Sequence, residues 1–180
     1  MPAIKNPEPA LEDDVVALRP FTLMDVPRVT EACQDPEIPR WTARIPSPYR
    51  ESDARDWISS QANDLRQGTE ISLAITDPST GSLDGSVGLS SIETSNGTAE
   101  IGYWVAAWAR RQGKATNSVQ LLSGWGLEEL GLRRIILVTK PNNEASAGVA
   151  RRAGYRFEEE DGAYPVRGEF WHVLKFVLER

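Results

Sequence analysis

The segment Arg110-Arg111-Gln112-Gly113-Lys114-Ala115-Thr116 gathers three cations around a glycine at the start of a helical apolar stripe. A glycine there lets successive backbone N–H groups turn toward one point, where the dipole of the following helix adds about half a positive charge. Such a mouth cradles a pyrophosphate, with Arg110, Arg111 and Lys114 supplying cationic help. On these residues alone an ordinary basic helix start stays open as well. The spacing is not that of a Walker A loop, which needs glycine where Trp108 stands and Ser or Thr where Ala115 stands. Gly126 lies on one stripe with Ala115, Val119 and Leu122, which lets the helix pack close to a sheet.

Upstream, the run Thr98 to Val105 alternates with period two. It sets Glu100 on one sheet face with Thr98, Gly102 and Trp104, and Ile101, Tyr103 and Val105 on the other. Taken alone, Glu100 is a solvent-side residue in a cross-strand pair. There is one cysteine, Cys33, so no intramolecular disulfide or Cys-cluster metal site can form, and a small buried apolar role is expected for it. The one histidine, His172, shares a strand face with Phe170, Leu174 and Phe176; it reads as buried and structural, and cannot make a metal site by itself.

Stepping out to the whole chain, 180 residues with 40% hydrophobic and 26% charged residues fit one domain of ordinary globular composition. The formal net charge of -6 disfavours nucleic acid or an anionic membrane as partner and suits a cationic or amine-bearing one. Residues 1–14 hold three prolines and four acids, without a basic start or apolar core, and read as a flexible tail rather than a signal peptide. The apolar runs are too short to span a bilayer, and a cytoplasmic protein is expected.

Elements must position these residues. A strand over 15–20 leads into a helix capped by Thr22 and ending near Asp35. Pro36 to Arg50, with prolines at 36, 39, 46 and 48 and the aromatics Trp41 and Tyr49, reads as a loop. A helix from Ser52 to Gly68 follows, then strands over 71–76, 85–92 and 98–105, the last two joined by the hairpin signal Asn96-Gly97. The grammar then becomes strand, glycine loop, helix to Leu130, and apolar strand over 134–139. A helix capped by Asn143 stops at Gly154, before strands over 155–158 and 166–178. The fold class is α+β, a largely antiparallel sheet with one parallel crossover, in a single domain over 15–180.

Two motifs in this context carry a resemblance. Arg110, Gly113 and Ala115 match (Gln/Arg)-x-x-Gly-x-(Gly/Ala), and Asn143, Ser146 and Gly154-Tyr155 match Asn-x-x-Ser before a helix ending in Gly-aromatic. The chain thus resembles the GNAT superfamily of acetyl-CoA-dependent N-acetyltransferases, in particular its Rim-type branch of N-terminal acetyltransferases. The likeness runs from Leu18-Arg19-Pro20 through the closing strand and weakens between Pro36 and Arg50, where such enzymes choose their acceptor.

What the resemblance implies is a GNAT-type mixed, mostly antiparallel twisted sheet flanked by helices, with one parallel βαβ crossover. Its co-substrate is acetyl-CoA, with no metal. The strand at Trp104 and Val105 would hold the pantetheine arm, and Gln112 to Thr116 the pyrophosphate, with Arg110, Arg111, Lys114, Ala115 and Asn143 among the cofactor-binding residues. Glu100 becomes the base that takes the amine proton, and Ser146 the acid for the departing thiolate, though Ser146 can equally be an N3 capping residue. Many relatives use a tyrosine seven positions after the motif asparagine, where this chain has Ala150. Tyr155 is expected in the core, and the acidic run Glu158 to Asp161 at the surface. Trp41 and Tyr49 are candidate walls of the acceptor pocket, with a dimer surface or core packing open for both. The implied activity is acetyl transfer to a primary amine, of a peptide N-terminus or a small molecule; dimers are common in this branch. A second reading, suggested by Ala150, is a catalytically idle acyl-CoA-binding regulatory module.

Overall fold

The computed structural model describes residues 3–42, 44–166 and 168–180. Its described strands are β1 Leu11–Glu12, β2 Ala17–Pro20, β3 Ile71–Thr76, β4 Leu83–Glu93, β5 Thr98–Val105, β6 Arg134–Thr139, β7 Arg156–Val166 and β8 Glu169–Glu179. They join one sheet in the order β1-β2-β3-β4-β5-β6-β8-β7, antiparallel except for the parallel pair β5 and β6. The helices are α1 Val26–Ala32, α2 Glu37–Trp41, α3 Glu51–Gln67, α4 Lys114–Glu128 and α5 Glu144–Arg152. The expected α+β fold with one parallel crossover is the fold found.

Period-two apolar residues give the sheet two buried faces. On one, Leu73, Val87, Leu89, Ile101, Ile135 and Phe176 pack with α4 and α5 in the main core. There a Cβ added at Gly126 would stand 3.0 Å from Leu89 Cδ1, so the small residue sets how closely α4 approaches the sheet. On the other face, Ala74, Leu83 and Trp104 pack with Val26, Val29, Cys33 and Ile58 of the first helices. Cys33 is buried as expected, and burial pushes its thiol up to about 12, which leaves it protonated and unreactive.

Three segments differ from the sequence-based expectation. Residues of the expected N-terminal tail are tied down: Ile4 is buried, its N–H donates to the Leu65 carbonyl at 2.8 Å, and β1 pairs with β2. The expected loop over 36–50 contains α2, because prolines in a first helical turn remove N–H groups that have no intrahelical partner, while Ile38 anchors the helix in the second core. Strand β7 runs on to Val166 despite Gly162 and Pro165, since it lies at the sheet edge and has a register shift between Asp161 and Tyr164.

Candidate active site

The parallel ladder between β5 and β6 is three pairs long: Thr98↔Arg134, Ala99↔Ile135 and Glu100↔Ile136. Beyond Glu100 the two strands part, while β5 keeps its antiparallel pairing to β4 from Ser90↔Glu100 to Gly85↔Val105. The β6-facing edge of Ile101–Val105 therefore carries backbone groups outside any ladder, which suits an extended amide-bearing arm. Glu100 sits at the crotch of this opening. Opposite it, β4 has a bulge between Ser90 and Glu93, with Ser91 at φ 50. Bulges re-aim neighbouring side chains.

At the far end of β5 the chain turns into the α4 mouth. Arg111 (φ 62) and Gly113 (φ 81) both take the left-handed conformation, and Gly113 is the N-cap of α4 with no side chain capping it. The first N–H groups of α4 thus face outward without a side-chain acceptor, as a pyrophosphate requires. Gln112 Nε2 donates to the Trp108 carbonyl at 3.2 Å and Trp108 Nε1 to Asp84 at 3.2 Å, which pins the loop to β4.

Lys114 corrects one expectation. Its side chain is buried, and Nζ pairs with Asp84 and, at 3.2 Å, with Asp77. Burial works against the charge, but the two carboxylates outweigh it and hold the Lys114 pKa above its ordinary value. This ammonium braces α4 against the β3–β4 turn instead of adding charge to the cradle, to which Lys114 brings only its backbone. Arg110 is likewise engaged, with its guanidinium 2.6 Å from Asp35 and Nε donating to the Val105 carbonyl at 3.1 Å. Arg111 is exposed and makes no ion pair among the described residues.

Ser146 and Glu100 lie on opposite sheet faces with the opening between them. The Asn143 carboxamide accepts the Ser146 N–H at 3.1 Å, so the capping role is real. The Ser146 hydroxyl makes a separate contact: Tyr103 of β5 donates to it at 3.1 Å. Ala150 is fully buried in the main core, and Tyr155, also buried there, shares a 2.7 Å hydrogen bond with Ser123. Thr139, at the end of β6 where the strands have separated, is buried with its hydroxyl unpaired among the described residues. An opening edged by unpaired backbone amides, with the unsatisfied buried hydroxyl of Thr139 on the strand across it, fits the pantetheine arm of acetyl-CoA.

The other side of the site was harder to anticipate. Tyr164 of β7 stands against Glu100: burial first, then the charge of Glu100 and a hydrogen bond to it, push its phenol up. Lys140 Nζ lies 4.1 Å from the centre of the Trp171 ring and donates to the Arg40 carbonyl at 3.0 Å, so it ties α2 to the end of β6. Lys140, Glu169, Phe170 and Trp171 line an open cleft of about 430 Å³. Nothing in the sequence signals Lys140 or Trp171; Tyr103 is visible as a strand tyrosine but not its partner, and Tyr164 falls in the expected loop between 158 and 166, which β7 in fact runs through.

Tyr49, expected as a pocket wall, is a core residue between the first helices, and burial raises its pKa. Trp41 is half-buried, donates to Glu37 at 3.1 Å and stacks under Arg40 at 4.6 Å. His172 is exposed rather than buried, paired with Glu160, because the β7–β8 hairpin projects beyond the helices and leaves Phe170 74% exposed too. The acidic run is satisfied locally: Glu158 pairs with Arg134, Glu159 with Lys175 at 3.2 Å, and Glu160 with His172. Among the described residues no group of three His, Cys, Asp or Glu could hold a metal, and no described helix is long and apolar enough to cross a membrane.

Comparison with known proteins adds to this geometry. Residues 16–156 match the Acetyltransferase (GNAT) domain family. The chain is 36% identical over 132 residues to YdaF of Bacillus subtilis (strain 168), named for a proposed ribosomal N-acetyltransferase activity; the match covers 72% of this chain and 68% of YdaF. A Vibrio cholerae protein named for a proposed ribosomal-protein-serine acetyltransferase activity superposes with a TM-score of 0.83 at 20% identity, over 98% of this chain and 100% of that one. The microcin C7 self-immunity acetyltransferase MccE, solved with acetyl-CoA and AMP, gives a TM-score of 0.78 at 20% identity, over 93% and 94% of the two chains. The opening at Glu100, the glycine mouth of α4 and the family match agree, and the chain belongs to the GNAT acetyltransferases.

Proposed function

We propose that this acetyltransferase moves the acetyl group of acetyl-CoA to the α-amino group of a peptide at the crotch of the β5–β6 opening. The observation that carries the reading is the placement of Glu100 where the parallel ladder stops, with the α4 mouth at the other end of the same strand. Acetyl-CoA, when bound, supplies a thioester whose carbonyl carbon accepts the amine.

The residues then divide the work. Backbone N–H groups of Gln112, Gly113, Lys114, Ala115 and Thr116 hold the pyrophosphate, with Arg111 as the exposed cation beside them. The free edge of β5 at Trp104 and Val105 holds the arm, with Asn143 shaping the start of α5 nearby, and its N–H groups are suited to the oxygen that gains charge. An ammonium has no lone pair, so the amine must enter as the free base, and Glu100 is placed to take the proton the nitrogen sheds on becoming an amide, directly or through water. Tyr164 stands beside that carboxylate, whose charge together with burial keeps the phenol protonated. Across the opening the Ser146 hydroxyl would supply a hydrogen bond to the departing thiolate as its negative charge grows.

A peptide acceptor is supported by the names of YdaF and of the Vibrio cholerae protein, and by the open cleft at Trp171, which a chain can traverse. A cytoplasmic setting suits that acceptor. The test is thiol release from acetyl-CoA with peptides of varied N-terminal residue and with small amines, alongside calorimetry with acetyl-CoA. Release that is lost in Glu100→Gln while acetyl-CoA still binds is expected. Binding without release for every acceptor would establish the idle module instead.

A further inference from the structure

We infer that Tyr103 is a positioning residue for the thiolate-leaving step: from strand β5 its hydroxyl holds Ser146, the role that no tyrosine on α5 can fill in this chain. The inference rests on the acetyl-transfer reading above. Position 150, one turn beyond Ser146, is Ala150, fully buried in the main core, so that turn of α5 offers neither a hydroxyl nor room for one. The Tyr103 phenol comes instead from the facing strand, on the sheet face that α5 covers, and donates to the Ser146 hydroxyl at 3.1 Å.

The direction of that bond decides what each group can do. Tyr103 is the donor, so its bond occupies a lone pair of the Ser146 oxygen and leaves the serine proton free to point elsewhere. Ser146 is also fixed from the other side, because its N–H is bound by Asn143. A hydroxyl that receives one hydrogen bond is polarised and gives a stronger one, and here it is held at the edge of the opening where the sulfur departs.

Tyr103 itself keeps its proton. Burial raises its phenol despite the hydrogen bond to Ser146 and the nearby charge of Arg152, and even an ordinary phenol near 10 is a weaker acid than a thiol near 8.5. The amine enters as the free base, its ammonium proton having gone to solvent. The N–C bond forms and the C–S bond breaks, the electron pair leaves on sulfur, the one proton the nitrogen sheds on becoming an amide ends on Glu100, and the thiolate departs in a hydrogen bond from Ser146.

The experiment compares wild type, Tyr103→Phe, Ser146→Ala and the double variant by steady-state thiol release, using the best acceptor peptide from the screen above. Tyr103→Phe should lower kcat about tenfold with KM for acetyl-CoA and Tm unchanged, and the double variant should match Ser146→Ala within about twofold, since the phenol acts only through the serine. Wild-type kcat in Tyr103→Phe, a multiplicative loss in the double variant, or a loss carried by KM or by Tm would overturn the inference while leaving the acetyl-transfer reading intact. No release by wild type with any acceptor would overturn both.

Discussion

At the α4 end of the site the geometry is carried by backbone, while at the β7–β8 end it is carried by side chains. Gly113 and Arg111 turn the chain, and the buried Lys114 with Asp84 and Asp77 locks the turn to β4. The hairpin end presents Trp171, Phe170, His172 and Tyr164 from strands that project past the helices, with its ion pairs largely at the surface. The α4 mouth presents backbone, and its side chains brace that backbone from behind. The hairpin end presents exposed side chains, any one of which can change without disturbing the fold.

The contrast can be broken most sharply at Lys114. Lys114→Met leaves Asp84 buried without its partner, and should cost about 3–5 kcal/mol and lower Tm by roughly 10 °C in calorimetric melting. Glu100→Gln, at the junction of the two regions, should lower kcat about 100-fold in the thiol-release assay with acetyl-CoA affinity retained. Gly113→Val forces a β-branched residue into φ 81, and should cost about 1–3 kcal/mol in denaturant unfolding and weaken acetyl-CoA binding by calorimetry. At the hairpin end, His172→Ala should change urea-unfolding stability by less than about 0.5 kcal/mol, because its pair with Glu160 is exposed.

A pH titration sharpens the same comparison, since all four tyrosines lie on or between the two regions. Burial raises the pKa of Tyr49, Tyr103, Tyr155 and Tyr164 alike. Raised folded values mean stability that is complete below about pH 10, the unfolded value, and is lost as pH climbs toward the folded values. Absorbance at 295 nm should stay flat through pH 10 in the native protein, then rise together with loss of near-ultraviolet dichroism. A normal tyrosinate transition near pH 10 with structure intact would contradict this burial.

Legibility in the sequence followed the same division. The bounds of β5 and β6 were readable to the residue, because strict alternation marks a half-buried strand, and a run as short and β-branched as Ile135 to Val138, with Gly131 and Pro141 flanking it, is a covered strand rather than a helix. Gly113 was readable because few other residues open a helix in that conformation. Lys114 was misread: its type promised charge at the mouth, and nothing local disclosed that Asp77 and Asp84 would bury it. His172 was misread for a different reason, as its strand face is apolar but the helix cover stops short of it. The contact of Tyr164 with Glu100 joins strands that the sheet itself holds apart, which no periodicity reports.

The three-pair ladder between β5 and β6 also makes a seam. On one side lie five strands from consecutive chain, with α4 packed on β4 and β5; on the other lie β6, β8 and β7, with α5 on β6 and β7. Each half thus has its own helix cover, while one sheet and one apolar core run through both. A ligand lying in the opening would hydrogen-bond along the seam and work as added rungs. At a hundredfold excess over Kd such a ligand stabilises by about 2.7 kcal/mol, and amide exchange should slow along β5 and β6 together.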